Sequence, residues 1–312
     1  MDQLIINPFD TGGYDLATMT SAVNLLPNTY GRVRQLGLFA AEGVRTRTII
    51  VENVNGVLTL LQSQSPGAPA PRKIHGKATM RSFIIPHIPY DDRILPSDLQ
   101  GRRDPGTVDP KTLQTEMTKR LVEMRAAHAI TEEHLMMGAV KGTILDADGS
   151  TLYNLHTEFG ISPKTIDFNL DADATNVTDK CREVLRHIED NLYGDVMSGV
   201  RCLCDETFFE KLINHPNVEK FYLNHQQALQ LAGGGADPRK GFNFGGITFE
   251  EYRGKATDPA TGDLRAFIAA GYAHFFPVGT MSTFKIHHAP AEYMETVNTV
   301  GQPIYAKQIM AP

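Results

Sequence analysis

The chain has 312 residues and carries 30 Lys and Arg against 36 Asp and Glu, a formal charge of −6. Its 41% hydrophobic and 21% charged residues are ordinary for a folded protein, which excludes a disordered, collagen-like or low-complexity chain, and the acidic balance argues against a general nucleic-acid-binding surface. No run approaches the ~20 apolar residues of a membrane-spanning helix, and no basic segment precedes the first apolar patch, so neither a membrane span nor a secretory leader is expected. The length allows two domains, or one with large excursions. Three cysteines, Cys181, Cys202 and Cys204, fit a reducing compartment such as the cytosol, without a disulfide framework.

Residues 1–45 are broken by Pro8, Gly12, Gly13, Pro27 and Gly31, with short helical pieces expected at 15–25 and 34–41. They carry too few apolar residues for a core of their own and read as an arm that packs on something else. Residues 46–62 are rich in β-branched residues and turn at Asn55-Gly56, and a second strand-like run spans 74–88. Between them, residues 63–73 hold Pro66, Gly67, Pro69 and Pro71, which permit neither a helix nor a central strand. Together these make a long projecting hairpin. Such a hairpin is marginal alone, and the sequence shows no obvious intrachain partner for it.

Asp109 and Pro110 then cap and open the strongest helical signal, about 109–141, closed by Gly142. Leu113, Met117, Leu121, Met124, His128, Leu135 and Ala139 recur at mainly three- and four-residue spacing, with charged residues such as Glu116 largely between them. A helix of about 30 residues spans roughly 45 Å and acts as a spine element more often than as part of a compact enzyme. A hairpin follows at 143–145 and 151–155 around an Asp-Gly turn, then a helix at 176–192 capped by Thr175 or Asn176 and stopped by Gly194. A buried strand is expected at 200–204, and a helix from 207 that breaks at His215-Pro216. A glycine-rich loop covers 233–246, strands 247–253 and 264–269 flank a polar turn, and irregular strand-rich chain runs from 273 to the end.

No pattern assembles a catalytic constellation. The segment GGGADPRK at 233–240 lacks phosphate-loop spacing and is followed by a strand rather than a helix. His128 and His134 are six residues apart, on different helix faces, and Cys202 and Cys204 have no second pair at zinc spacing. Cys181, between Lys180 and Arg182, is a candidate low-pKa thiol, with a half-buried helical cysteine as the plainer reading. Asp146/Asp148 and Asp171/Asp173 are paired carboxylates, but they flank turns, where Asp bonds its own backbone. The reading is therefore of a non-enzyme with no cofactor and no metal. Its arm and projecting hairpin need partners, as in an assembly protein.

In order along the chain stand PFDT at 8–11, FAAEGVRT at 39–46, the 51–61 run, RSFIIPHIPYDDRILPSDL at 81–99, EHLMMGAVKGT at 133–143, GITFEEYRG at 246–254 and FFPVGT at 275–280. In this order and spacing the chain resembles the major capsid proteins of tailed bacteriophages, the lambda-type major capsid protein E family. The resemblance implies an α+β, HK97-like capsid fold. It would comprise an N-terminal arm (1–45), an extended loop (46–90), a peripheral domain with the spine helix (91–160 and 271–312) and an axial domain (161–270). It implies hexamers and pentamers tiling an icosahedral head shell around packaged double-stranded DNA, held non-specifically, in a virion assembled in the host cytoplasm.

Expected partners are further copies of the chain, a portal protein, a separate scaffolding protein and, as in some relatives, a trimeric decoration protein. Inter-subunit contacts are expected at Pro66, Gly67, Pro69, Arg72 and Lys73 in the loop tip and at Gly234, Arg239 and Lys240 near the capsomer centre. Lys73, Lys77 and Asn298 match the residue types that cross-link some relatives, but such pairs are too common to point to a cross-link, and none is expected. Two alternatives remain: an encapsulin-like host compartment on the same fold, with cargo-peptide groove and enzyme cargo, and a cytosolic enzyme with an unrecognised site.

Overall fold

A computed structural model describes residues 16–25, 31–53, 79–100, 113–192, 195–231, 240–258, 261–281 and 283–309. Its centre is a four-stranded sheet of β6 (Gly199–Cys204), β7 (Lys240–Phe244), β8 (Ile247–Glu251) and β11 (Ala273–Val278), in the order β11-β6-β8-β7. β6 and β8 run parallel, and β11 and β7 flank them antiparallel. Both inner strands are largely buried, as in a sheet covered on both faces.

Strand alternation gives the two faces different cores. Val200, Cys202, Cys204, Ile247 and Phe249 point to one side, onto helices α6 (Val177–Asp190), α7 (Glu206–Asn214) and α8 (Pro216–Leu231). There they meet Val177, Cys181, Phe208, Leu212 and Tyr222. Leu203 and Phe276 point to the other side, where Met136 and Met137 of the long helix α4 (Leu113–Lys141) pack with Phe267 and Ile268. The order is thus helices, sheet, long helix, a mixed α and β architecture.

α4 has 29 residues and extends about 43 Å. It ends at Gly142, whose φ of +80° suits glycine and where a Cβ would collide with the His156 ring. The expected start at Asp109 and Pro110 lies outside the described residues. The apolar stripe read from the sequence is not the buried face. Of its members only Met117 is fully buried, whereas the charged Glu116, Arg125 and Glu133 are. Glu116 is covered by Arg120 one turn on, and Glu133 is matched by polar partners from the chain packed on α4.

Glu133 shows how. The short helix α2 (Arg32–Gln35) lies against α4, with its first backbone N–H groups aimed at this carboxylate. Val33 N–H donates to Oε1 at 2.8 Å, Arg34 N–H to Oε2 at 3.4 Å, and the Tyr252 hydroxyl to Oε1 at 3.0 Å. A carboxylate on one element thus caps the helix of another, satisfying N–H groups that α2 cannot bond itself. Burial, and then Glu133 itself, push the Tyr252 phenol well above its ordinary range, so it stays a donor. Beside it, Arg32 forks onto Glu250 on the α4 side of β8, with Nη2 to Oε2 at 2.9 Å, and Arg201 stands 3.6 Å from the same carboxylate. Glu250 is 3% exposed, so removing its cations would strand a charge.

The arm expectation changes accordingly, since the described part packs on its own chain. α1 (Leu16–Leu25) runs along α4 and holds the C-terminal strap, with Asn24 Nδ2 donating to Ile304 O at 3.0 Å. Residues 34–41 are not one helix. α2 stops at Gln35, and β1 (Ala40–Gly43) pairs in parallel with β12 (Lys285–His288). Val44 N–H donates to His288 O at 2.9 Å and Gly301 N–H to Val44 O at 2.8 Å. The backbones meet so closely that a Cβ on Gly43 would strike Gly301, and one on Gly301 would strike His288 O.

The projecting hairpin is β2 (Thr48–Asn53) paired antiparallel with β3 (Thr79–Ile84), in register from Thr48–Ile84 to Asn53–Thr79. Its tip, 54–78, lies outside the described residues. β4 (Thr143–Leu145) and β5 (Thr151–Asn154) form the expected hairpin, which leads into α5 (Leu155–Phe159). β9 (Lys255–Thr257) and β10 (Leu264–Ala266) form a further small hairpin. Within 233–246, the expected loop gives way to strand β7 at 240–244, and glycines 245 and 246 make the turn into β8. The alternation of Phe242 and Phe244 against the sheet outweighs the local glycine content. The 176–192 helix is found at Val177–Asp190, with Asn176 as N-cap and Asn191 at its C-terminus.

Glu133→Ala should lower unfolding stability by about 2–4 kcal/mol, because two N–H groups and a phenol lose a buried acceptor; an unchanged denaturant midpoint would mean that this carboxylate does not hold residues 31–36. Gly301→Ala should cost about 1–3 kcal/mol and speed amide exchange at Val44, and exchange at the wild-type rate would show that the close approach tolerates a Cβ.

Candidate assembly surface

The hairpin of β2 and β3 has two unlike faces. Directly paired residues share a face, so Ile49, Val51, Arg81 and Phe83 lie on one face and Thr48, Ile50, Glu52, Met80, Ser82 and Ile84 on the other. The first face rests on its own chain. Phe83 is buried edge-on against Tyr153 at 5.3 Å and tilted against Phe159 at 5.9 Å. The Tyr153 hydroxyl donates to Ile84 O and accepts from Ile84 N, each at 2.8 Å, so it completes the open edge of β3 as a neighbouring strand would. Arg81 reaches Glu158 at 3.5 Å. The hairpin root therefore has an intrachain support that the sequence did not reveal.

The second face is open. Ile50 is 68% exposed, Met80 67% and Ile84 60%. These three residues lie along a diagonal on one side of one hairpin, with Thr48, Ser82 and, paired with Met80, Glu52 on the same side, and form an apolar strip edged by polar positions rather than scattered residues. The segment after the hairpin, which includes the short helix α3 (Pro96–Leu99), is pinned back onto α4. Arg120 binds Asp92 at 3.0 Å and Glu116 at 2.9 Å, with Asp98 at 4.0 Å, so the strip sits on a braced support.

Of the residues expected at subunit contacts, Pro66, Gly67, Pro69, Arg72, Lys73, Gly234 and Arg239 lie outside the described residues, as does Lys77. Lys240 opens β7, an edge strand of the central sheet, opposite Glu250. Ile50, Met80 and Ile84 went unnoticed as site residues. The signal was present, since both alternating sets of the 46–62 run are apolar where a half-solvated strand needs only one.

The chemical candidates resolve into packing. Cys181, Cys202 and Cys204 are buried, and burial pushes the Cys181 thiol up to about 12, so the adjacent Lys180 and Arg182 do not activate it. Asp146 and Asp148 accept from Ala147 N and Ser150 N inside their turn. His128 lies against Tyr90 and His134 against Phe267. Among the described residues no group of three or more His, Cys, Asp or Glu could hold a metal ion, and no helix is long and apolar enough to cross a membrane.

Comparison with known proteins places this architecture. The family described as phage major capsid protein E matches residues 15–312. The major capsid protein of Pseudomonas phage KPP10 is 33% identical over 312 residues, covering 96% of this chain and 89% of the relative. That of Salmonella phage Felix O1 (isolate Felix O1-VT1) is 31% identical, covering 93% and 86%. The capsid structure of the cyanophage P-SCSP1u aligns with 85% of this chain and 76% of its own at a TM-score of 0.39 and 13% identity. The sequence relationship over nearly the whole length decides the matter: this chain belongs to the phage major capsid protein E family.

Proposed function

We propose that the chain is the major capsid protein of a tailed phage and that its copies, as hexamers and pentamers, tile an icosahedral head shell around packaged double-stranded DNA. Family membership supports this reading over an encapsulin-like compartment or an enzyme. The observation that carries it is the open strip of Ile50, Met80 and Ile84 on a hairpin whose other face is already held. A two-stranded hairpin gains little stability alone, and an apolar strip on a braced support gains by burial against another molecule. A neighbouring copy is the partner always present at the needed concentration, and the contact then stabilises each subunit by mass action.

In this reading the fold is HK97-like. Residues 1–45 are the arm, 46–90 the extended loop, 91–160 with 271–312 a peripheral domain whose spine is α4, and 161–270 an axial domain. The loop tip, with Pro66, Gly67, Pro69, Arg72 and Lys73, reaches the adjacent subunit, and Gly234, Arg239 and Lys240 face neighbours around the capsomer axis. Prolines in the tip reduce the entropy lost on docking. Assembly takes place in the host cytoplasm with a scaffolding protein and a portal protein, and the product is the virion capsid. The chain itself performs no catalysis and carries no cofactor.

The double variant Ile50→Asp/Met80→Asp tests the reading, because two carboxylates cannot be buried unpaired at an interface without a cost of several kcal/mol. Negative-stain microscopy and size-exclusion chromatography of co-expressed shell components should show shells for the wild type. The variant should yield folded, small species with an unchanged circular dichroism spectrum. Shells of wild-type yield from the variant would contradict the assignment of this strip to the subunit interface.

A further inference from the structure

Where the hairpin root, α4 and the C-terminal strap meet there is a cleft of about 320 Å³, with His128 of α4 and His287 and His288 of β12 in its wall. Behind it α4 carries Arg125, 7% exposed, whose contact is a 3.4 Å bond to Asn24 Oδ1 and whose Nε has no partner among the described residues. His288 Nε2 is likewise buried without a partner. The carboxylates around the cleft are already engaged by other cations. Glu132 pairs with Arg34, Glu292 with Arg47, and Glu42 with Lys285 at 2.9 Å, while His287 stands 3.8 Å from Glu42. From the hairpin root come Asp91, which is exposed, His87, and the Tyr90 ring against His128. Two half-buried imidazoles therefore lie within the electrostatic reach of Arg125, and His288 also of Arg34, with little anionic charge to spare.

We propose that this seam is a proton-sensitive clasp: neutral His128 and His288 let the strap of residues 285–306 lie on α4, and protonation of both drives the strap, and β1 paired to it, away from Arg125 and Arg34. The strap is the element to move, since it is tied down by the short β1–β12 ladder, by Ile286 at the edge of a core, by exposed ion pairs to Glu42 and Arg47, and by single bonds such as that from Asn24.

The direction of the effect follows from the environment. Burial first and Arg125 second hold His128 below the ordinary imidazole range. His288 is held down by burial, then by Arg34, His287 and Arg125. A histidine whose pKa is depressed in the folded form adds stability that is complete above its unfolded value of about 6.5 and is lost as pH falls through the folded value. The opening therefore belongs below about pH 6.5, ahead of carboxylate protonation near 4.

Amide hydrogen exchange of the full-length chain at about pH 7.5 and 5.5, corrected for intrinsic rates, tests the clasp. Protection of peptides covering 40–44, 285–288 and 300–306 should fall about tenfold or more at the lower pH, while β6 and β8 keep theirs. His128→Gln/His288→Gln should retain strap protection within about twofold, and Arg125→Met should move the opening to lower pH. Equal strap protection of the wild type at both pH values overturns the proposal, a result that needs no variant. So does a double variant that loosens as much as the wild type, since carboxylates would then be responsible.

Discussion

One constraint shapes this molecule: a hairpin with apolar side chains on both faces is given cover by its own chain on only one. Phe83 against Tyr153 and Phe159 fixes which face is turned inward, and the Tyr153 hydroxyl closes the edge of β3. Strict alternation then leaves Ile50, Met80 and Ile84 no choice but to face outward. Exposure of this strip follows from the register and is not a defect of packing. A subunit built this way keeps a reserve of apolar area for its neighbours.

That reserve is useful only on a rigid base, and buried carboxylates supply the rigidity. Glu133 and Glu250 hold the residues that begin α2 between the long helix and the central sheet, so the N-terminal segment is locked by directional bonds in addition to the apolar contacts of Val33, Leu36, Leu38 and Phe39. The sheet in turn serves two cores. Leu203 and Phe276 on one face bind it to α4, while Cys202 and Phe249 on the other bind it to α6, α7 and α8. The sheet thereby joins two close-packed cores into one interior.

Much of this was legible in the sequence, for reasons that differ by element. The long helix announced itself by an absence of proline and a glycine stop, and the hairpins by β-branched runs around turn residues; these signals are local. Strand β7 was hidden in a glycine-rich stretch because Phe242 and Phe244 matter only against a sheet made of residues distant in sequence. The second helical piece was misread because Ala40 to Gly43 have no strand propensity of their own and extend only by pairing with β12. The buried face of α4 was misjudged for the same reason: Glu133 looks like a surface residue until α2 brings its N–H groups. Family membership rests on order across the whole chain, which no single motif supplies. The open strip was within reach, since both alternating sets in the hairpin are apolar, but only the register shows which set stays outside.

The account depends on that strip meeting another copy. Its most direct test is maleimide labelling of an Ile50→Cys variant, with low background because the three native cysteines are buried. Labelling should be fast in dissociated subunits and slowed about tenfold or more in assembled shells. Equal rates in both states would mean that the strip stays in water after assembly, and the proposed interface would be wrong.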